Sequence, residues 1–289
     1  MEVKEQILKM IQKKESDLPT LSGVIDRIVI VASDENTTTE DLAEIISCDQ
    51  GMRNQLLKLA NSVYYAQKTN IETVKRAVTV IGFDEIVGIA LAMGILSSFS
   101  DESGLSLDIK ALWIHGIGVA TVSKELAKRT NPGIASKIFI PALLHDMGKI
   151  ILSVYFKDEY RKVKQLAIEQ NKPLYFVENA ILKFDHAILS ALLMKRWNFP
   201  QSIMIPCRFH HNPESAPLKF KHQSLIINLA DYLTQKAQIG HSGNPVPVTV
   251  KNVSKKTGVN ETVLKLIIDQ VKRKESEIKE FFNITTGAA

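Results

Sequence analysis

The stretch PALLHDMGKIIL, residues 141–152, places a histidine, an aspartate and a lysine inside an otherwise apolar helical run. Burying an imidazole, a carboxylate and an ammonium group together is costly unless each group finds a partner. Lys149 follows His145 by about one helical turn, so both side chains are predicted to project from one face. His145, Asp146 and Lys149 therefore either bind a metal ion and a phosphate or pair only with one another.

Helical periodicity extends outward from this stretch in both directions. Residues 37–48, TTTEDLAEIISC, begin with threonines and acidic residues and then place Leu42, Ile45 and Ile46 on one face, as in a capped amphipathic helix. Residues 84–99 are apolar nearly all round, which is typical of a central buried helix. Because no segment shows sustained period-2 alternation, the sequence predicts an all-α fold of two packed helical subdomains.

A polar, Gly/Ser-rich stretch at 100–108 favours a subdomain boundary. We therefore predict an amino-terminal helical subdomain over 1–103 and a second helical bundle over 104–240. Residues 241–289 are predicted to hold a loop and one carboxy-terminal helix near 262–283. That helix is amphipathic, so it either packs on the body of the protein or mediates self-association, and packing is the default expectation.

The composition excludes several classes of protein. The 289 residues are enough for a substantial core without disulfides or structural metals. The net charge of +5 comes from 36 basic and 31 acidic residues spread along the chain, with no basic stripe for nucleic acid. Cys48 and Cys207 stand far apart, which suits a reducing compartment. The longest apolar run, 86–96, is too short to span a bilayer, and the charged start, 1–16, is unlike a signal peptide. We expect a cytoplasmic protein that does not contact membranes.

Most of the histidines lie in the second half of the chain, within or beside predicted helices, together with two aspartates. The candidate ligands are His115, His145, Asp146, His186, His210, His211 and Asp231. Imidazole and carboxylate groups suit divalent Fe, Mn, Zn or Ni, and a pair of such ions is a known device for phosphate-ester hydrolysis. Lys149 would then meet a phosphate oxygen. The alternative is five separately hydrogen-bonded core histidines, and spacing alone favours it because no HExxH-like motif is present. The remaining His222 and His241 are interpreted as surface residues.

At these residues the sequence resembles the HD-related output domain (HDOD) family, a branch of the HD superfamily of metal-dependent phosphohydrolases. The resemblance covers roughly 15–240 and implies that the second bundle is HD-domain-like. Its motifs are LPTLSGVIDRI, EDLAEIISCDQGMRNQLLKLANSVYY, AVTVIGFDEI, ALWIHG, PALLHDMGKIIL, DHAILSALLMKRWNFP and HHNP.

The related HD-GYP branch hydrolyses cyclic dinucleotides, and the resemblance implies which residues here match its metal site. His115 matches the first ligand, His145 and Asp146 match the HD pair, and Lys149 matches the phosphate-contacting lysine. The later ligands correspond to His186, His210, His211 and Asp231. Two departures weaken the likeness to that branch: Ala111 replaces a ligand glutamate one turn before the first histidine, and the segment HHNPESAPLKF lacks the GYP motif.

The resemblance implies a signal-transduction output module that retains a pocket for a divalent metal. Its partner would be a signalling protein, bound through the amino-terminal subdomain, or a phosphate-containing small molecule. The alternative function is a metal-dependent phosphohydrolase acting on a phosphoester or cyclic nucleotide, in which Lys149 and Asp146 are catalytic. A third interpretation is nucleotide sensing without turnover.

Overall fold

Helices alone build the regular structure of the chain as far as the computed structural model describes it. The described residues are 23–34, 36–65, 69–97 and 106–286, with Glu5 and Lys9. No strand forms among them, so the all-α prediction is confirmed. The charged start of the chain falls outside the described residues apart from Glu5 and Lys9. Residues 98–105 fall outside them too, so the subdomain boundary near 103 stays a prediction.

The amino-terminal group of helices surrounds one apolar helix. Its members are α1 (Gly23–Ser33), α2 (Thr39–Ser47), α3 (Gln50–Ala60), α4 (Val74–Ile81) and α5 (Phe83–Ser97). As predicted, α5 is central and buried on nearly all sides. A Cβ added at Gly94 would overlap the side chain of Ile25, so the glycine permits the close approach of α1. No single helix in the described ranges has the length and apolar character to cross a bilayer, although α4 and α5 together, bent by 117°, meet that test.

The start of α2 follows the capping pattern that its sequence predicts. The amide of Asp41 donates to Thr38 Oγ1 (3.2 Å), and the amide of Thr38 donates to Asp41 Oδ2 (2.9 Å). This reciprocal capping box satisfies two backbone donors that the helix itself cannot satisfy.

Replacing Thr38 with alanine is therefore expected to lower the free energy of unfolding by about 1 kcal/mol. Chemical denaturation measures the loss. The neighbouring Thr37→Ala removes a hydroxyl of the same kind outside the box and should change stability by less than about 0.5 kcal/mol. Equal losses in the two variants would contradict the capping role.

The second group of helices forms the bundle around the histidines. Its members are α6 (Ile109–Thr130), α7 (Phe139–Leu144), α8 (Met147–Tyr155), α9 (Lys157–Glu169), α10 (Leu174–Leu182), α11 (His186–Arg196), α12 (Gln201–Phe209) and α13 (Leu218–Ala237). Short 3-10 turns at Pro132–Ile134 and Pro213–Ser215 join α6 to α7 and α12 to α13. The long helices α6 and α13 pack together and carry ligand candidates from opposite halves of the sequence.

The carboxy-terminal segment differs from its prediction as a single helix. It forms α14 (Val253–Thr257), α15 (Glu261–Arg273) and α16 (Glu275–Thr286). The break falls between α15 and α16, at the C-cap residue Lys274. Its amide donates to the carbonyls of Gln270 and Val271 of α15. Burial of Ile278 and Phe281 seats α16 on the body of the protein, as expected for the packing alternative.

The two groups of helices are joined by buried polar contacts as well as by apolar ones. Tyr65 and Lys124 both donate to the carboxylate of Glu85, which is 5% exposed. The Tyr64 hydroxyl lies 2.8 Å from Thr121 Oγ1 on α6. The helix that carries His115 is therefore held on one side by the amino-terminal helices.

Candidate metal centre

The His145–Asp146 pair lies in a sharp turn between two helices. The sequence predicts one continuous helix here, and this is wrong: α7 ends before His145 and α8 begins after Asp146. In a continuous helix the amide of Gly148 would donate to the carbonyl four residues back. Instead it donates to Ser190 Oγ on α11 (2.8 Å). The break turns both side chains toward the centre of the bundle.

The structure brings all eight predicted site residues into one cluster, which is buried except for the half-buried His211. They come from α6, the α7–α8 turn, α8, the start of α11, the end of α12 and the middle of α13: His115, His145, Asp146, Lys149, His186, His210, His211 and Asp231. Helix packing closes separations that range from 20 residues, between His211 and Asp231, to 116 residues, between His115 and Asp231. Of the two histidines interpreted as surface residues, His241 is exposed, whereas His222 is half-buried within α13 and lies 3.3 Å from Thr130 Oγ1.

One half of the cluster is formed by His115, His145 and Asp146, which each present a ligand atom within 4.8 Å of the others. His145 Nε2 lies 3.3 Å from Asp146 Oδ2 and 4.0 Å from Asp231 Oδ1. His115 Nε2 is hydrogen-bonded to Asp231 Oδ1 (2.9 Å), which also accepts from Gln235 (2.6 Å). This half therefore offers two imidazoles and two carboxylates.

The other half consists of His186, His210 and His211, again with ligand atoms within 4.8 Å of one another. The Nε2 atoms of His186 and His211 are 2.8 Å apart, and Tyr175 stacks on the His211 ring. Asp146 Oδ1 faces this half, at 3.1 Å from His186 Nε2 and 3.8 Å from His210 Nε2. Asp146 therefore lies between the two halves and presents one oxygen to each.

Besides His115 Nδ1, three buried atoms in the cluster have no hydrogen-bond partner: His145 Nε2, Asp146 Oδ1 and His210 Nε2. The two imidazoles are held at their other nitrogen, because His145 Nδ1 lies 2.8 Å from the Ala142 carbonyl and His210 Nδ1 lies 2.7 Å from the Cys207 carbonyl. A carbonyl can only accept, so each Nδ1 carries the proton and each Nε2 of the neutral ring has a free lone pair. Leaving such groups buried and unpaired costs about 1–3 kcal/mol each. Bare lone pairs beside a carboxylate oxygen fit a divalent metal ion.

Burial and close neighbours set the charges in the cluster. Burial alone would raise the pKa of Asp146, but His145, Lys149 and hydrogen bonds from His145 and His186 together outweigh burial and hold that pKa well below its ordinary value. Burial, helped by His145, lowers the pKa of His210 to about 3. For His186 burial alone would lower the pKa, but the Glu178 and Asp146 carboxylates together overcome this effect, and the pKa rises to about 9. Asp146 is therefore ionised and His210 neutral, the forms in which these groups bind metals, whereas His186, with its raised pKa, must lose a proton when a metal binds.

Lys149 is buried and already has two partners. Its Nζ donates to Asp146 Oδ2 (2.6 Å) and to the carbonyl of Ser242 (3.0 Å). Ser242 belongs to residues 239–250, an irregular segment that we call the strap. That Lys149 meets a phosphate stays a prediction, and in this structure its Nζ is bonded to the strap carbonyl.

The strap also covers the position of the missing glutamate. The amide of His241 donates to the carbonyl of Ala111 (2.9 Å). Gly240 has a positive φ of 61°, and a Cβ there would collide with the backbone of His115 and Ala111. Further along, Asn244 accepts from the amide of Leu174 (2.9 Å), so the strap is fixed to α6, α8 and α10. This part of the pocket is filled by the chain itself.

Two residues that the sequence did not single out bind candidate ligands on the side away from the centre of the cluster. Glu178 on α10 accepts from His186 Nδ1 (2.6 Å), and the Asn228 side chain donates to the carbonyl of His210 (2.8 Å). The available signal for Glu178 was its position as an acidic residue in the largely apolar sequence of α10. Its role depends on a contact with another helix, which periodicity does not reveal.

The family model for the HDOD domain matches residues 18–213. This chain is 25% identical over 228 residues to an uncharacterized protein of Treponema pallidum (strain Nichols), a match that covers 76% of this chain and 43% of that protein. The chain thus spans less than half the length of this curated relative.

Crystal structures of three bacterial proteins share the fold. An HDOD domain protein of unknown function from Geobacter sulfurreducens has a TM-score of 0.78 at 23% identity, covering 97% of this chain and 96% of that one. A candidate signal transduction protein from Marinobacter aquaeolei VT8 has a TM-score of 0.80 at 19% identity, covering 98% and 66%. A candidate metal-dependent phosphohydrolase from Shewanella amazonensis SB2B has a TM-score of 0.62 at 19% identity, covering 98% and 100%.

An all-helical fold with a buried His/Asp cluster defines this chain as HD-like. Since the family model covers more than half of its residues, the chain belongs to the HDOD family.

Proposed function

We propose that the protein is a signal-transduction regulatory module whose His/Asp cluster holds a divalent metal ion. The observation that carries this proposal is the set of three unpaired buried atoms, His145 Nε2, Asp146 Oδ1 and His210 Nε2. A metal ion would satisfy all three lone pairs, and the two halves of the cluster offer enough ligands for one ion or two. Fe, Mn, Zn and Ni all suit this donor set, and a bound ion would supply Lewis acidity at the pocket.

The strap favours regulation over hydrolysis. Lys149 Nζ already donates to Asp146 and to the Ser242 carbonyl, and Lys149 and Asp146 are only 2% and 5% exposed, so a phosphoester has little access to them. Ala111 offers no carboxylate to the cluster, and its carbonyl is bound to the strap. A buried ion held by ligands from several helices would stabilise one arrangement of those helices. A partner protein that binds elsewhere on the surface could then recognise that arrangement.

A second candidate function, metal-dependent phosphohydrolysis, is favoured by the position of Asp146. One carboxylate shared between two groups of histidines is the arrangement by which paired ions clamp a phosphate. In that case Lys149 would exchange the strap carbonyl for a phosphate oxygen. Turnover of bis(p-nitrophenyl) phosphate by the metal-loaded protein, lost in Lys149→Met, would move the assignment to this function.

Metal content tests the proposal directly. Elemental mass spectrometry is applied to protein purified without a His tag and without added metal. We expect near-stoichiometric Fe, Mn, Zn or Ni in the wild type and almost none in His145→Ala, because that variant removes one of the unpaired ligand atoms. His222→Ala removes a half-buried histidine outside the cluster and should keep the metal.

Two results would contradict the proposal. A wild-type protein that binds no metal, even after incubation with excess ions, would mean that the cluster is only a hydrogen-bonded network. Unchanged metal content in His145→Ala would mean that the ion binds elsewhere.

A further inference from the structure

Glu178 is a fully buried carboxylate next to the cluster, on the side away from the unpaired atoms. Its Oε2 accepts from both the amide (2.9 Å) and Nδ1 (2.6 Å) of His186, and its Oε1 accepts from the hydroxyl of Tyr160 (3.1 Å). The exposed fractions of Glu178 and Tyr160 are both 0%. Both carboxylate oxygens are therefore used, and one of them holds the imidazole.

Capping of α11 does not account for this buried acid. The N-cap of α11 is Asp185, whose side chain accepts from the amide of Ile188 (2.9 Å). A buried carboxylate carries a large desolvation cost. Because α11 already has an N-cap, further capping by Glu178 would add too little stability to offset that cost. The contact that distinguishes Glu178 is the short bond to the His186 ring.

That bond fixes which nitrogen of His186 faces the cluster. A carboxylate only accepts, so Nδ1 keeps its proton and points at Glu178. Nε2 then points the opposite way, toward Asp146 Oδ1 (3.1 Å) and His211 Nε2 (2.8 Å). Carboxylates placed behind metal-binding histidines orient the ring and increase its basicity.

We propose that Glu178 is a positioning residue that holds His186, with Nδ1 protonated, as an Nε2 ligand for the divalent ion. This inference rests on the proposed metal site and deepens it. Tyr160 supports the arrangement by fixing the second oxygen, so that α9, α10 and α11 together set the orientation of one ligand. The other half of the cluster, around His115 and His145, has no contact with Glu178 among the described hydrogen bonds.

The test compares the zinc affinity of Glu178→Gln with that of the wild type, measured by competition with a chelating indicator. Glutamine keeps the size of the side chain and can still accept from His186, but it removes the charge. We expect affinity to fall about 10–100-fold. Glu85→Gln is the matched control, because Glu85 is also a buried carboxylate bonded by a tyrosine and lies at the interface with the amino-terminal helices. It should lower stability without changing zinc affinity.

A second measurement does not depend on any variant of Glu178. In zinc-loaded wild-type protein labelled with 15N-histidine, the His186 signals are assigned from their loss in His186→Gln. We expect a protonated Nδ1 and a metal-shifted Nε2. Zinc bound through Nδ1, or equal zinc affinity in Glu178→Gln and wild type, would overturn the inference while leaving the metal site intact. Failure of the wild type to bind zinc would overturn both proposals.

Discussion

Replacing Asp146 with asparagine is expected to remove metal from both halves of the cluster at once. Asp146 alone presents an oxygen to each half, with Oδ2 3.3 Å from His145 Nε2 and Oδ1 3.1 Å from His186 Nε2. The neutral amide keeps the shape of the side chain but removes the negative charge that both sets of ligands share. We expect metal affinity to fall by at least about 100-fold, more than for a residue that acts through another.

The same substitution should also destabilise the protein. Lys149 would lose the negative charge that lies 2.6 Å from its Nζ and would remain buried as an uncompensated cation. Breaking a buried ion pair by removing one member costs about 3–5 kcal/mol. The double variant Asp146→Asn with Lys149→Met removes the stranded ammonium group, so it should recover part of the stability but none of the metal binding.

Asp185→Asn is the matched control for Asp146→Asn. Asp185 is also a buried aspartate, adjacent in sequence to His186, but its oxygens accept from the amide of Ile188 and the side chain of Asn179. Metal content by elemental mass spectrometry should stay near the wild-type value in this control. If Asp146→Asn kept its metal in a protein folded by circular dichroism, Asp146 would not be a shared ligand.

The sequence and its family resemblance indicated which residues lie together in the His/Asp cluster, but not how they are arranged. Repeating apolar positions and caps are local properties, so helices such as α2 and α5 follow from them. The break at His145 is not local, because it depends on a hydrogen bond between Gly148 and Ser190, which are 42 residues apart. A single predicted helix across that turn would have separated Asp146 from the second group of histidines.

The strap and Glu178 escaped prediction for the same physical reason. Residues 239–250 have the composition of an ordinary surface loop, and only packing places Ser242 on Lys149. In the sequence, Glu178 is one acidic residue on an amphipathic helix. Its bond to His186 forms only because α11 packs beside α10. The resemblance to a known family supplied the candidate ligands one by one, but it did not supply the contacts that surround and restrain them.

Replacing Gly148 with alanine should be among the most damaging single changes in the bundle. A Cβ at this position would lie 2.9 Å from the carbonyl carbon of His186 and 3.0 Å from the amide nitrogen of Ser190, and closer still to the His186 carbonyl oxygen. These are backbone atoms of α11, which no side-chain rotation can move aside. Overpacking of a core costs about 1–3 kcal/mol and more when the backbone must shift. We therefore expect the free energy of unfolding to fall by more than about 3 kcal/mol, measured by chemical denaturation.

Gly118→Ala separates this backbone clash from ordinary crowding. Gly118 is also buried in a helix, but a Cβ there would meet methyl groups of Thr234 (2.9 Å) and Ile239 (3.0 Å), which can rotate away. It should cost about 1 kcal/mol, partly offset by the better helix propensity of alanine. Gly148 packs against the backbone of His186, so a shift of that backbone would also move the His186 ring. Gly148→Ala should therefore also lose metal, whereas Gly118→Ala should keep it. Equal stability losses in the two variants would mean that α8 and α11 can separate freely, and the short turn at Asp146 would then not hold the two halves of the cluster together.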